Sequence, residues 1–338
     1  MLNASTMTTH PRLMLPIENS AFDIPTDGMI AIYRAYGDYP NLPKDRLVCF
    51  QGYFPDYLDL KTAGYTTTAT PPETAALAII HITRSKNETR TLIAKAHDSL
   101  PVGGVILIDG EKTDGIESLL KDAKRHTTVN GQISKSHGKV FWLFKQSKIN
   151  PFSHWGNSTK PTKNAEGWYT SKGVFSADGI DSGSAELAPA FAGRLKGKTA
   201  DLGAGWGWLS AKALEACPDI ENIDLIEAEY AALESAKLNI TDARARFQWE
   251  DATRLTKKNV YDTLISNPPF HTGRKADPAL GRAFIYSAAK LLKPAGQMFL
   301  VANRQLAYEA TLDDCFANWE VTAQSNRYKI IHARKSKC

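Results

Sequence analysis

The chain has 338 residues, 43% apolar and 23% charged, with 23 glycines and 17 prolines. That balance suits a soluble globular protein, excludes a fibrous one, argues against disorder, and at this length points to two domains. No run approaches the eighteen apolar residues of a membrane span. The 41 basic against 36 acidic residues leave a formal charge of +5, which permits a polyanionic partner without demanding one. Cys49, Cys217, Cys315 and Cys338 lie far apart with no CxxC pair. A disulfide framework or structural zinc site is therefore not expected, and the reading is a reduced, cytoplasmic compartment. The first residues carry little positive charge and no apolar core, so no secretory signal is expected.

Residues 1–20 read as a loose lead-in. Apolar spacing predicts a helix over Asp27–Tyr36, stopped near Gly37, and a strand over Arg46–Phe50. Pro71-Pro72 stand where a helix over Glu73–His81 would start, since the N–H that proline lacks is unpaired in a first turn. A helix over Asn87–Leu100, a turn and strand within Leu100–Glu111, a helix over Gly115–Arg125 and a strand over Lys139–Lys145 complete the first half. The following stretch is rich in Lys, Asn, Ser, Thr and Pro, with Trp155, Trp168 and Tyr169 among them, and reads as a connector. The expected domains are 1–150 and 173–338, joined by 151–172.

The second half alternates strands and helices. Helices are expected over Ser182–Phe191, Gly203–Ala216 (with its glycine turn), Tyr230–Asn239, Ala279–Leu292 and Tyr308–Phe316. Strands are expected over Lys198–Leu202, Asn222–Glu227, Ala245–Trp249, Tyr261–Ile265, Gln297–Ala302, Trp319–Ser325 and Tyr328–Arg334. Such alternation implies crossovers and a mainly parallel sheet, here closed by an antiparallel hairpin. The halves echo each other. DSLPVGGVILID (Asp98–Asp109) matches KLLKPAGQMFLV (Lys290–Val301) in pattern, and KVFWLFK (Lys139–Lys145) matches KIIHARK (Lys329–Lys335). Aligning Gly104 with Gly296 needs an offset of 192, and Lys139 with Lys329 an offset of 190. Near-equal offsets favour a duplicated fold.

The sharpest local signal is DLGAGWGWLS, Asp201–Ser210, between a strand and a helix. Gly203, Gly205 and Gly207 let the backbone turn tightly and approach a ligand. The acid Asp201 would repel a pyrophosphate and suits a cationic ligand. Glu227 ends the next strand, where an acid can accept both hydroxyls of a ribose; Glu229 is a lesser candidate. Asp251, after the third strand, could accept from an adenine amine. Glu250 competes for that role, and a plain cap before Ala252-Thr253 is nearly as good a reading of Asp251. ISNPPFHTG, Ile265–Gly273, follows a strand whose end lies on the same sheet edge as the glycine loop. There the Asn267 amide and the Pro268 carbonyl can accept from an exocyclic amine, the two prolines stiffen the loop, and Phe270 can stack on a base.

These motifs, together with GVFSADGIDSGSAEL (Gly173–Leu187), VANRQLAYEATLDDCF (Val301–Phe316) and SNRYKI (Ser325–Ile330), resemble those of class I S-adenosylmethionine-dependent methyltransferases. More narrowly, the chain is similar to the two-domain guanine-N2 methyltransferases of small-subunit (16S) ribosomal RNA, closely over residues 173–335 and weakly over 20–145. The resemblance implies an α/β protein of two tandem Rossmann-like methyltransferase folds. The N-terminal copy, lacking GxGxG and NPPF, would be degenerate and serve RNA recognition or stabilisation. The C-terminal copy would be catalytic, with a mainly parallel sheet ending in an antiparallel hairpin. It implies S-adenosyl-L-methionine as cofactor: Asp201, Gly203 and Gly205 at its methionine part, Glu227 at its ribose, Asp251 at its adenine, Asn267 also bordering it. Asn267, Pro268 and Phe270 would hold the guanine. Glu replaces Asp at 227, and the longer carboxylate still reaches a ribose. The implied partner is 16S ribosomal RNA in the 30S subunit, with no membrane and no metal, acting in the cytoplasm, a monomer being favoured. His271 more simply orders its loop than acts as a base. Candidate RNA-facing basic runs are Lys121–His126, Lys145–Lys172 and Arg274-Lys275. The alternatives are an adenine-N6 or large-subunit guanine-N2 enzyme, a protein-glutamine N5 methyltransferase, and a non-catalytic assembly factor.

Overall fold

Burial on both faces decides the first elements. The computed structural model describes residues 9–156, 158–269, 271–272, 275–276 and 278–337, the two short pairs by their backbone alone. After one helical turn, α1 (Leu15–Glu18), the segment IAIY forms strand β1 (Ile30–Tyr33). The expected helix over 27–36 is therefore corrected. All four side chains are buried, and a central parallel strand is a continuous apolar run that spacing alone cannot separate from a buried helix. The same holds for the strand Leu77–His81, five buried residues inside the expected helix 73–81.

The first unit, Met1–Lys160 by contacts, continues with β2 (Leu47–Phe50), α2 (Phe54–Thr62), β3 (Thr66–Thr68), β4 (Leu77–His81), α3 (Lys86–Ser99), β5 (Val105–Glu111), α4 (Ile116–Ala123), β6 (Gly131–Lys135) and β7 (Gly138–Phe144). The second, Pro161–Cys338, holds a hairpin of β8 (Thr162–Lys163) and β9 (Tyr169–Thr170), then α5 (Ser182–Phe191), β10 (Gly197–Leu202), α6 (Trp208–Ala216), β11 (Ile220–Glu227), α7 (Tyr230–Asn239), β12 (Ala245–Trp249) and β13 (Tyr261–Ser266). The short pair β14 (His271–Thr272) and β15 (Lys275–Ala276), α8 (Pro278–Leu291), β16 (Leu292–Asn303), α9 (Glu309–Cys315), β17 (Phe316–Gln324) and β18 (Tyr328–Ser336) complete it. The connector stretch is shared out. Phe152 and Trp155 are buried in the core of the first unit, and the β8–β9 hairpin is tied to Asn239 of α7 in the second.

Each unit carries a seven-stranded sheet. The orders are β3-β2-β1-β4-β5-β7-β6 and β12-β11-β10-β13-β16-β18-β17, the same permutation twice. In each, the first five strands pair in parallel and the last two pairings are antiparallel, so the sixth strand in the order alone runs against the others. The expected echo holds to the residue. Val105 pairs with Phe144 and Gln297 with Arg334, couples separated by 192 (105 to 297) and 190 (144 to 334). Strand side chains alternate between two helix-covered faces. In the second unit, Leu202, Leu264 and Phe284 share one core, Leu225, Ile265 and Phe299 the other.

The carboxyl edge of the first sheet is filled by its own chain. Tyr33 pairs with Ile80 as Leu202 pairs with Ser266, so His81 stands in the first unit where Asn267 stands in the second. The His10 ring packs 4.4 Å from that of His81, is stacked on Tyr39 at 4.8 Å, and meets Tyr36 edge-on at 4.8 Å. Burial, with His81 beside it, pushes the His10 imidazole down to about 4, so it is neutral at physiological pH. Behind it the buried Arg12 donates to Asp109 at 2.8 Å and to Glu111 at 2.7 Å. His10, His81 and Asp109 offer possible ligand atoms within 4.8 Å of one another, but the Arg12 guanidinium already sits on that carboxylate. Replacing Arg12 by alanine leaves Asp109 buried without its cation, and is expected to destabilise the first unit by about 3–5 kcal/mol. Denaturant unfolding of Arg12→Ala against wild type measures this, and Arg12→Met with Asp109→Leu is expected to recover most of the loss.

Candidate active site

The second unit's crevice begins at Asp201, one residue from the end of central strand β10 and 1% exposed. Ser210, in the first turns of α6, donates to its Oδ2 at 2.7 Å, while Oδ1 is buried with no partner. Burial pushes this carboxyl from its ordinary 3.8 up to about 7; the Ser210 bond opposes the shift and nearby Glu227 adds to it. A buried acid held this way is poised to meet a cation.

The loop that follows folds back on β11, with the N–H groups of Gly203 and Ala204 both donating to the Ile226 carbonyl. Gly205 has φ +57° and only open space where a Cβ would stand, so a ligand can lie against bare backbone there. Gly207, at φ +87°, is glycine for another reason: a Cβ would come within 2.9 Å of Ile240, so its absence lets α6 start against α7. Between them Trp206 is buried, 5.8 Å from Trp168, and donates its indole N–H to the Phe175 carbonyl.

Glu227 ends β11, and its two oxygens accept from the Gly205 and Glu229 N–H groups, both at 2.7 Å. It braces the glycine loop from the next strand. Burial raises its carboxyl more than these backbone bonds lower it. Asp251 follows β12. Its Oδ1 accepts from the Thr253 N–H and hydroxyl, and Arg254 lies 3.4 Å from Oδ2. This is the local turn that competed with the adenine role.

Strand β13 lies beside β10, Ser266 opposite Leu202, and the Ser266 hydroxyl donates to the Leu202 carbonyl at 2.7 Å. Parallel neighbours roughly 4.8 Å apart end on the same edge, so Asn267 and Gly203 leave the sheet side by side. The Asn267 amide nitrogen donates to Asp181 Oδ2 at 2.7 Å and to Ser184 Oγ at 2.8 Å, while Oδ1 is buried and unpartnered. Pro268 is buried and Pro269 exposed. Phe270 lies outside the described residues, as do Arg274 and the side chains of His271 and Lys275.

One edge thus brings together Asp201, Gly203, Gly205, Glu227, Asp251, Asn267 and Pro268. Sequence reasoning missed Asp181, Ser184, Ser210, Trp206 and the 64% exposed Phe175. The D-x-x-S spacing of Asp181 and Ser184 carries a helix-cap signal, but nothing local joins it to a residue 86 positions on. Among the basic runs, Lys145 is buried, its ammonium donating to the carbonyls of His97 and Leu100; it serves the core. No helix among the described residues is long and apolar enough to cross a membrane.

The family model described as methyltransferase small domain matches residues 167–332. A ribosomal RNA small subunit methyltransferase C from Psychromonas ingrahamii is 31% identical over 75% of this chain and 74% of its own length. Its counterpart from Cronobacter sakazakii is 30% identical over 74% and 73%. A solved T. thermophilus 16S rRNA N2 methyltransferase, in complex with AdoMet and guanosine, superposes with a TM-score of 0.76 at 22% identity, covering 96% of this chain and 92% of that one. This last likeness extends the fold over both units.

The raised Asp201 carboxyl has a consequence for stability. Between its ordinary 3.8 and about 7 the folded chain holds a proton that the unfolded chain has released, so stability falls as pH rises through that window. Asp201→Asn removes this dependence. The difference in melting temperature, variant minus wild type, is expected to move in the variant's favour between pH 4 and pH 8. A difference independent of pH would contradict this ionisation.

Proposed function

The chain belongs to the ribosomal RNA small subunit methyltransferase C family, and on that premise we propose that it transfers a methyl group from S-adenosyl-L-methionine to the exocyclic N2 of a guanine in 16S ribosomal RNA. The observation that carries this reading is an unpartnered acceptor after the second central strand: Asn267 Oδ1, buried, on the edge shared with the glycine loop. An acceptor of that kind calls for a donor, and an exocyclic amine is one.

The residues fit the cofactor. Asp201, with one oxygen unpartnered, suits its cationic methionine end, and the open backbone at Gly205, with Gly203, leaves it room. Glu227 keeps lone pairs for ribose hydroxyls beyond its two backbone bonds, and Asp251 borders the adenine. When bound, the cofactor supplies an electrophilic methyl on a sulfonium. The protein's part is to strip water from the amine, align it and orient its lone pair. Asn267 Oδ1 and the Pro268 carbonyl accept hydrogen bonds from the amine's two N–H groups as positive charge grows on nitrogen, and the one proton lost after transfer passes to water. No strong general base is needed. The guanine must leave its helix or be unpaired.

The first unit, its crevice filled by His10 and Tyr39, holds no second cofactor and serves RNA recognition or support. The protein works as a monomer in the cytoplasm, on RNA assembled in the 30S subunit.

Labelled cofactor incubated with free 16S RNA and with 30S particles, followed by nucleoside analysis, tests the reading. Label in N2-methylguanosine is expected; label in N6-methyladenosine, or on protein alone, would overturn it. Asn267→Ala is expected to lower kcat by about 100- to 1000-fold with a much smaller change in cofactor affinity. Gly205→Val places a β-branched residue at positive φ, a strain of about 1–2 kcal/mol, and fills the open space. Calorimetry is expected to show cofactor binding weakened by at least tenfold.

A further inference from the structure

We propose that Asp181 and Ser184 are positioning residues that lock the amide of Asn267 in the one orientation that accepts a hydrogen bond from substrate. This deepens the functional reading above and rests on it. An asparagine amide has an acceptor end and a donor end of nearly the same shape, and only its partners decide which faces out. Asp181, as a carboxylate, can only accept. Its Oδ2 lies 2.7 Å from Asn267 Nδ2. A half-turn of the amide would set two oxygens against each other there, with nothing shared between them. Ser184 Oγ receives the second N–H at 2.8 Å. Both donors are thus spent inside the protein, and Oδ1 is what remains for the crevice.

The lock is itself built in. Asp181 is the N-cap of α5, and the same Oδ2 accepts from the Ser184 N–H at 2.9 Å, so the carboxylate is fixed by the helix before it meets Asn267. Ser182 Oγ lies 3.1 Å from the Tyr328 hydroxyl. At Gly183 a Cβ would stand 3.1 Å from Asp181 Oδ2 and 3.2 Å from the Tyr328 ring. The first turn of α5 is therefore seated against the start of β18, and its cap and third residue are delivered together to a strand end far along the chain. An unpartnered buried oxygen is unfavourable in the free protein. The first turn of α5 holds it ready, so the amide need not reorient when the amine arrives.

The variant that separates positioning from folding is Asp181→Ser. Serine still caps the helix but is too short to reach Asn267. It is expected to lower kcat by about tenfold to a hundredfold, with cofactor affinity within about twofold of wild type. Asp181→Asn, which keeps an acceptor oxygen at the same reach, is expected to retain most of the activity. In an Asn267→Ala background Asp181→Ser should cost nothing further in kcat, because the group it positions is gone. An equal loss in that background, or no loss in the wild-type background, would overturn the proposal. The side-chain amide resonances of Asn267, identified by their absence in Asn267→Ala, provide a readout apart from activity. They are expected to shift, and to exchange faster with water, in Asp181→Ser; unchanged resonances would also overturn it. A wild-type protein that methylates no ribosomal RNA, while its amide signals respond to Asp181→Ser, would sink the substrate reading and leave the positioning standing.

Discussion

The parallel pairing of β10 with β13 is the constraint on which the crevice depends. It is held at both ends by buried hydroxyls: Thr199 and Thr263 lie 2.7 Å apart across the pair, and Ser266 bonds to the Leu202 carbonyl. Because the strands are parallel and adjacent, whatever follows one emerges beside whatever follows the other. A glycine turn and an Asn-Pro-Pro turn, 64 residues apart, become one site with no contact of their own required. The neighbouring β11 adds Glu227 by the same rule, its carboxylate bracing the Gly205 N–H. Ligands of doubly wound sheets gather at this edge for that reason.

The two units show what a shared topology leaves undecided. Both sheets have the same strand order and nearly the same register. Yet one edge holds bare backbone and the unpartnered oxygens of Asp201 and Asn267, while the other is packed with imidazole and phenol rings and closed by the Arg12–Asp109 pair. The difference lies in a few residues after β1 and in the lead-in that folds over them. A crevice that must stay open keeps buried polar groups waiting, at a cost in stability. A crevice relieved of that duty can be filled, and the filled one gains ring packing and a paired charge.

The second unit was largely legible in its sequence. Helices over Ser182–Phe191 and Tyr230–Asn239 and the strand Ala245–Trp249 fall where spacing predicts, because one apolar face and a clear cap or turn mark each. The first unit misled at Ile30–Tyr33 and Leu77–His81, strands buried on both faces and so without the alternation that separates strand from helix. The half-exposed Thr66–Thr68 went unread for the opposite reason: an edge strand of three threonines has almost no apolar signal. At the site, the glycine turn, Glu227 and Asn267 were legible because each stands at a strand end. Asp181 was not, because what marks it is a contact with Asn267 that only the folded chain creates. Lys145, the first residue of the expected basic run Lys145–Lys172, leaves that surface in the same way, since charge alone does not reveal that an ammonium caps buried carbonyls.

On the reading proposed above, the unpartnered oxygen of Asn267 would also sort visitors by polarity. A nucleobase edge that leads with a carbonyl would meet oxygen against oxygen and be turned away, whereas an edge that leads with an amino group would be drawn in. Guanine carries both, at opposite ends of its pairing edge. The proposed site would therefore dictate which end goes in first, and uracil, with carbonyls flanking its only pairing-edge N–H, has no amino end to offer.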